Sequence, residues 1–381
     1  MRGGNFSSIC PSRLDKPGRA CYHQEDCCFL LARKENERMD YRQTAKLVLN
    51  RLKESKGDGR WDDHLSLATW EWPQGVAMYA MLKVFKASGD EALLKEIKDW
   101  YDGHIARGLP GRNINTTAPM LGLTMLYEIT GNEAYRPYIQ AWAEWVMNGL
   151  PRTQEGGFQH ITSDCVNEQQ LWDDTLFMTC LFLYRAGCAL QCQAWQDEAK
   201  YQFLLHIKYL HCDQNGLWYH GWCFLGRHHF GEAFWARGNS WITAGAIDFA
   251  QWLPQGDPVK RAVEETWKEQ CRALLALQDE KTGLWHTLLD HADSYLETSA
   301  SAAIAYGLLK GCRLGLLDCR EQAMKAAQGV IGMIAPDGLV EGVSYGTPMG
   351  NDLDFYRNIP IQPTAYGQGL VFLMLTELMG E

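Results

Sequence analysis

From Asp40 onward, apolar residues return at helical spacing, and no stretch alternates long enough to read as a convincing strand. The first stripe runs through Ala45, Leu47, Val48, Leu49 and Leu52, and Gly57-Asp58-Gly59 breaks it. The second, about 70–86, carries Trp72, Val76, Met78, Tyr79, Leu82 and Val84, with Pro73 in the first turn, where proline is tolerated. Further helices are expected at about 90–107, 117–131, 134–149, 170–188, 194–211, 235–252, 257–278, 294–315, 319–334 and 364–379. That makes about twelve, and most connections carry Gly, Pro, Asn or Asp. Residues 1–38 show no sustained period and read as a loose extension, with Met39 as a candidate natural start and 39–381 as one domain.

A weak repeat orders these helices. Gly157-Phe158-Gln159-His160, Gly216-Leu217-Trp218-Tyr219-His220, Gly283-Leu284-Trp285-His286 and Gly338-Leu339-Val340 each follow a helix. Their glycines lie 59, 67 and 55 residues apart (216−157, 283−216, 338−283), the length of a helical hairpin with its loops. Six hairpins in a row predict an all-α fold, an (α/α)6 barrel, in which the aromatic and histidine positions meet at one mouth. A right-handed α-solenoid, where they would form a strip, is the rival. These residues could equally serve to pack the turns.

Composition narrows the partners. A formal net charge of −10 without a basic block argues against nucleic acid and anionic membrane surfaces. No apolar run reaches the length of a membrane span. Thirteen cysteines, an odd count, in a chain without a signal-peptide pattern read as reduced thiols of a cytoplasmic protein. Cys10, Cys21, His23, Cys27 and Cys28 cluster but lack paired CxxC units, so no metal is assigned. GxSxG, P-loop, HExxH and GxGxxG contexts are missing, which removes serine hydrolysis, nucleotide transfer and zinc peptidase chemistry.

The chemistry concentrates at helix starts. Trp172, Asp173 and Asp174 open an almost wholly apolar run from Thr175 to Tyr184. Carboxylates there must be paired or lie at a cavity mouth, and a neighbouring Trp suits a sugar face; capping is the plainer role. Asn113 and Asn115 precede another apolar helix as cap or site. Trp235, Arg237 and Trp241 open a third, with Arg237 either a fork for a carboxylate or a structural partner of Asp173. Glu297 is a second carboxylate or a cap. The Gly-rich, aromatic stretch 341–360 reads as a loop over a cavity mouth.

The runs WEWPQGVAMYA, NINTTAP, GGFQH, QLWDDTLFM, WARGNSW and YLETSASAAIAYGLLKG, spread in order from Trp70 to about Lys310, resemble the unsaturated glucuronyl/rhamnogalacturonyl hydrolases of glycoside hydrolase family 105, with family 88 as more distant relatives. The family fold is an (α/α)6 barrel. The resemblance implies removal of a 4,5-unsaturated uronyl residue from a small oligosaccharide by hydration of its C4=C5 bond, without metal or organic cofactor. It places the catalytic carboxylate at Asp174 and substrate contacts at Trp172, His220, Trp235, Arg237 and Trp241, with Asn113, Asn115 and His160 more loosely matched. Where some relatives have a second aspartate, this chain has Asn113 and Asn115. The remaining alternatives are an inverting glycosidase using Asp174 and Glu297, an epimerase with a His220–His286 pair, and a non-catalytic carbohydrate-binding helical protein.

Overall fold

A computed structural model describes residues 40–57, 60 and 63–379; the expectations for 1–38 lie outside these residues. Twelve long helices form among them, and they alternate between an outer and an inner layer. The outer helices are α1 (Tyr41–Glu54), α3 (Glu91–Arg107), α5 (Arg136–Asn148), α7 (Gln193–Leu210), α9 (Pro258–Ala276) and α11 (Arg320–Gly332). The inner helices are α2 (Trp72–Ser88), α4 (Ile114–Thr130), α6 (a π turn Leu176–Cys180 continued by Leu181–Ala189), α8 (Ala236–Trp252), α10 (Thr298–Arg313) and α13 (Ala365–Leu378). A short α12 (Leu353–Arg357) lies in the last long connection.

The inner helices pack in a closed ring, α2 against α4, then α6, α8, α10, α13 and back to α2. Closure decides for the (α/α)6 barrel and against the solenoid. It also explains the sequence pattern. An inner helix is enclosed all round, so α13 buries nearly every residue from Ala365 to Leu375, while outer α1 buries only Ala45, Val48 and Leu52. Side-chain caps set the helix starts at Asp40, Asp90, Asn113, Asp257, Glu297 and Thr364.

The repeated glycines have a structural reason. Gly216, Gly283 and Gly338 have φ of 76°, 78° and 88°, and a Cβ on each would fall 2.8, 2.7 and 2.4 Å from the backbone oxygens of Glu269, Lys325 and Leu47. Each turn is pressed against an outer helix of another hairpin, where only glycine fits both the space and the left-handed backbone.

Two expectations change. The helix expected from 170 starts later, because Gln170–Trp172 (β1) pairs antiparallel with Gly221–Cys223 (β2). Likewise Leu296–Glu297 (β4) pairs with Trp285–His286 (β3) before α10 begins. Both are short rim ladders of two or three residues, too short for an alternating pattern to reveal, and β1 and β2 are also distant in sequence. No helix of the described residues is long and apolar enough to cross a membrane.

Candidate active site

All six inner helices start at the same end of the barrel, and a cavity of about 500 Å³ opens there. Its lining includes Trp72 at the start of α2, Asn115 of α4, Asp174 and Met178 of α6, and Trp235 and Arg237 at the start of α8. Residues 345–349 and Asn351 line it from the last long connection, where the Gly-rich stretch placed a covering loop. The positive ends of the inner helices therefore face this space.

Asp174 is the carboxylate of the adjacent pair that reaches the cavity, with its side chain 17% exposed. The β1–β2 ladder fixes it: the Asp173 backbone N–H donates to the His220 carbonyl at 3.0 Å, which brings the His220 ring to the Asp174 carboxylate. His220 Nε2 lies 3.2 Å from Asp174 Oδ2, and its Nδ1 lies 2.7 Å from the Tyr356 hydroxyl. Burial is the largest single influence and raises the Asp174 acid, but the hydrogen bond and charge of His220, with His160 and Asp173 adding to them, together outweigh it and hold the carboxyl below the usual range.

Asp173 is the opposite case. It is fully buried, neither carboxyl oxygen has a hydrogen-bond partner, and burial followed by the charge of Asp174 pushes its acid well up. It is therefore held neutral at rest. It packs so closely on α8 that a Cβ at Gly238 would lie 2.3 Å from Asp173 Oδ2. Two adjacent carboxyls are thus shifted in opposite directions, because one is bonded to a histidine and the other is buried beside its neighbour's negative charge. Ligand-type atoms of Asp173, Asp174 and His220 lie within 4.8 Å of one another. Of these atoms His220 Nε2 and Asp174 Oδ2 are engaged with each other, and His220 Nδ1 with the Tyr356 hydroxyl.

Aromatic rings build the walls. His160 stacks on Trp172 with centroids 4.2 Å apart and planes at 8°, and its Nδ1 lies 2.8 Å from Thr175 Oγ1. Burial brings His160 down to about 3, so it is neutral. Trp172 meets His220 edge-on at 5.3 Å, and Trp235 covers His220 at 4.5 Å. Of the repeat histidines His160 lines the cavity, while His220 lies buried just behind it, against Trp172 and Asp174, and Trp218 and Trp285 pack the turns. His286 is bound to the Ser294 carbonyl and does not line the cavity, so it forms no facing pair with His220.

Arg237 lines the cavity, but its fork is spent on the roof. Nη1 donates to the Ser344 carbonyl at 2.7 Å and to the Ser344 hydroxyl, and Nη2 to the Tyr345 carbonyl at 2.8 Å and Thr347 Oγ1 at 2.9 Å. Its plane lies between Trp235 and Tyr366, at 4.4 and 5.2 Å from the ring centres. No ion pair with Asp173 forms. Glu297 caps α10 and accepts the Ser344 N–H at 2.8 Å, enclosed away from the cavity. Trp241 lies deeper, buried against Phe177 at 5.0 Å with Trp72 edge-on at 6.1 Å, and does not line the cavity.

Asn115 reaches the cavity, whereas Asn113 acts behind it. Asn113 forms the capping box of α4, and its Nδ2 donates to Ser163 Oγ at 2.8 Å, which donates to Glu71 Oε1 at 2.9 Å. Glu71 and Asp164 line the cavity together with Asp174, whereas Glu297 does not. Glu71, His64, Tyr345, Thr347 and Tyr356 are site residues that reading the sequence missed. For Glu71 the local signal was a polar residue at the edge of an apolar helix, Glu71-Trp72-Pro73, and Tyr345, Thr347 and Tyr356 fall within the Gly-rich stretch 341–360 that reads as a loop over the cavity mouth.

A helical toroid with a carboxylate–histidine pair in an aromatic-walled cavity has the layout of a sugar-cleaving hydrolase. The chain belongs to Glycosyl Hydrolase Family 88, whose family model matches residues 44–380. The unsaturated rhamnogalacturonyl hydrolase YesR of Bacillus subtilis is 32% identical over 316 residues, covering 81% of this chain and 90% of YesR. A crystal structure described as a possible member of the GH105 family from Salmonella enterica is 42% identical, covers 92% of this chain and 97% of its own, and superposes with a TM-score of 0.87. The unsaturated glucuronyl hydrolase of Bacillus sp. GL1 is 19% identical with a TM-score of 0.67 over 89% of this chain and 95% of its own, a likeness of fold.

Proposed function

We propose that this enzyme removes 4,5-unsaturated uronyl residues from the non-reducing end of small oligosaccharides, with Asp174 as general acid and base. The unsaturated rhamnogalacturonyl type is the substrate class favoured by the likeness to YesR. The observation that carries the reading is that Asp174 alone of the adjacent pair lines the cavity and bonds to His220. The converging helix N-termini attract a carboxylate into a protein of net charge −10.

The chemistry follows from the charge states. The unsaturated uronate is a vinyl ether, and it must be protonated at C4. Asp174 is ionised at rest, but the arriving substrate carboxylate places a second negative charge nearby and raises its pKa, so it gains a proton on binding. Transfer of that proton to C4 leaves an oxocarbenium-like cation at C5. Asp174, ionised again and held by His220, takes a proton from the water that adds at C5. The resulting hemiketal opens and expels the second sugar. Trp172, Trp235, His160 and Asn115 shape and hydrogen-bond the uronyl subsite. Arg237 holds its roof, and Asn113 and Trp241 support it from behind.

Glu71 in the same cavity supports one other reading, an inverting glycosidase in which two carboxylates flank the bond. We place the enzyme in the cytoplasm, acting on imported disaccharides. The nine described cysteines are all free, including Cys312 and Cys319, whose sulfurs lie 3.5 Å apart unbridged, which suits a reducing compartment.

The role of Asp174 is tested by Asp174→Asn and Asp173→Asn. The first keeps the shape and removes the transferable proton, so turnover of an unsaturated disaccharide should vanish while the fold persists. Asp173→Asn replaces an acid held neutral and should retain far more activity. A fully active Asp174→Asn enzyme would remove the basis for the assignment.

A further inference from the structure

We infer that Tyr356 is a positioning residue that fixes the tautomer of His220, making Nε2–H the donor to Asp174. The inference rests on Asp174 being the reacting carboxylate, but the geometry that carries it is separate. Tyr356 is 1% exposed and lies on α12, in a small apolar cluster with Ala233, Trp235, Leu288 and Ile359, apart from the main core. Its hydroxyl has three neighbours: His220 Nδ1 at 2.7 Å, the Gly350 backbone N–H at 3.1 Å and Met349 Sδ at 3.6 Å.

A phenol has one proton to donate and lone pairs to accept with. Gly350 N–H can only donate, so it uses a lone pair. The phenol proton then goes either to an imidazole nitrogen or to a thioether, and the thioether is the weaker acceptor. Burial also raises the phenol above its ordinary range, so it keeps that proton. His220 Nδ1 is thus the acceptor, and in a neutral imidazole the proton must sit on Nε2. That nitrogen faces Asp174 Oδ2 at 3.2 Å. The opposite tautomer would turn two lone pairs toward each other across the Asp174–His220 contact.

The same contacts tie this setting to the cavity roof. Gly350 accepts from the Gly231 N–H at 3.3 Å, and the stretch from Tyr345 to Met349 that lines the cavity runs directly into it. Tyr356 therefore reads the position of the roof and passes it to the histidine that governs the charge of Asp174. Nothing in QLWDDTLFM or in the His220 turn reveals this partner, because it lies 136 residues away.

Selective 15N-histidine labelling of the intact enzyme at about pH 7 tests the inference. The His220 signals are identified among the 11 histidines by their loss in His220→Gln. The wild type should show His220 with Nε2 protonated and Nδ1 unprotonated and hydrogen-bonded. Tyr356→Phe keeps the buried ring and should give a mixture of tautomers. It should lower kcat on the order of tenfold, the scale of one hydrogen bond, with KM nearly unchanged. A wild-type His220 protonated on Nδ1 overturns the inference without any variant having to fold. An unchanged tautomer in Tyr356→Phe, or a switched tautomer with unchanged kcat, overturns it as well. If the tautomers behave as stated but no unsaturated uronyl substrate turns over, the proposed reaction fails and the assignment of Tyr356 stands.

Discussion

Replacing Arg237 by lysine keeps the charge and removes the fork, so it isolates what the guanidinium does for the roof. Arg237 is 1% exposed, and its two terminal nitrogens serve four acceptors on residues 344–347. An ammonium is one point at the end of its stem and reaches one side of that fan. About two bonds are lost, at roughly 1.5–3 kcal/mol each for a charged donor. Tyr345 and Thr347 line the cavity and regain water, which returns part of the loss, so the net cost to the ordered roof is about 2–3 kcal/mol. Substrate must then order the roof as it binds. That lowers kcat/KM by tenfold or more, carried chiefly by KM. Steady-state rates followed by loss of the unsaturated chromophore measure the split, and limited proteolysis within 345–351 should speed up. A folded Arg237→Lys enzyme with unchanged kcat/KM and unchanged proteolysis would refute the reasoning. A collapse confined to kcat would instead place Arg237 on the transition state.

Two further outcomes concern stability. Burial brings His160 to about 3 and His206 to about 4, and burial with the neighbouring Arg107 brings His104 to about 4. Unfolded imidazoles take up protons below about pH 6.5 that these cannot, while Asp173 runs the other way with one proton held only in the fold. The folded state is thus short of protons on balance, and stability should fall by roughly 2 kcal/mol per pH unit between about pH 6 and 5; denaturant titrations that show a flat or rising stability there contradict this. At the far end of the barrel, Asp248 is fully buried and bonded to Lys83, Lys310, Tyr79 and Tyr306. Burial already draws Lys83 down to about 8. Asp248→Asn strands the buried Lys310 ammonium and the partly buried Lys83 and should cost about 3–5 kcal/mol of stability, with kcat of the folded fraction unchanged; a loss below about 1 kcal/mol in a denaturation midpoint would show the cluster to be dispensable.

The barrel was legible because its signal is local. Inner helices are apolar all round, outer ones striped, and the repeat glycines sit where one hairpin touches another. The carboxylate–histidine pair was legible as residue types at helix starts and turns. Its charge states were not, since they depend on β1–β2 pairing across about fifty residues. Arg237 and Trp241 show the same limit. The WARGNSW run places both at a helix start, but whether Arg237 faces substrate or loop depends on Ser344, 107 residues on. Trp241, a full turn further along α8, is carried down into the core. Glu71 and Tyr356 join the site through long-range hydrogen bonds that no local spacing encodes.

In the proposed reaction water adds to C5 of a double bond, not to C1 of a glycoside. The direct test supplies an unsaturated uronyl disaccharide and its saturated counterpart of the same linkage in oxygen-labelled water, and locates the label by mass spectrometry of the released acid. Hydration predicts label at C5, loss of ultraviolet absorbance in step with release of the second sugar, and no cleavage of the saturated disaccharide. Label at C1, or cleavage of the saturated disaccharide at a comparable rate, would contradict the account and leave Asp174 and Glu71 as an ordinary glycosidase pair.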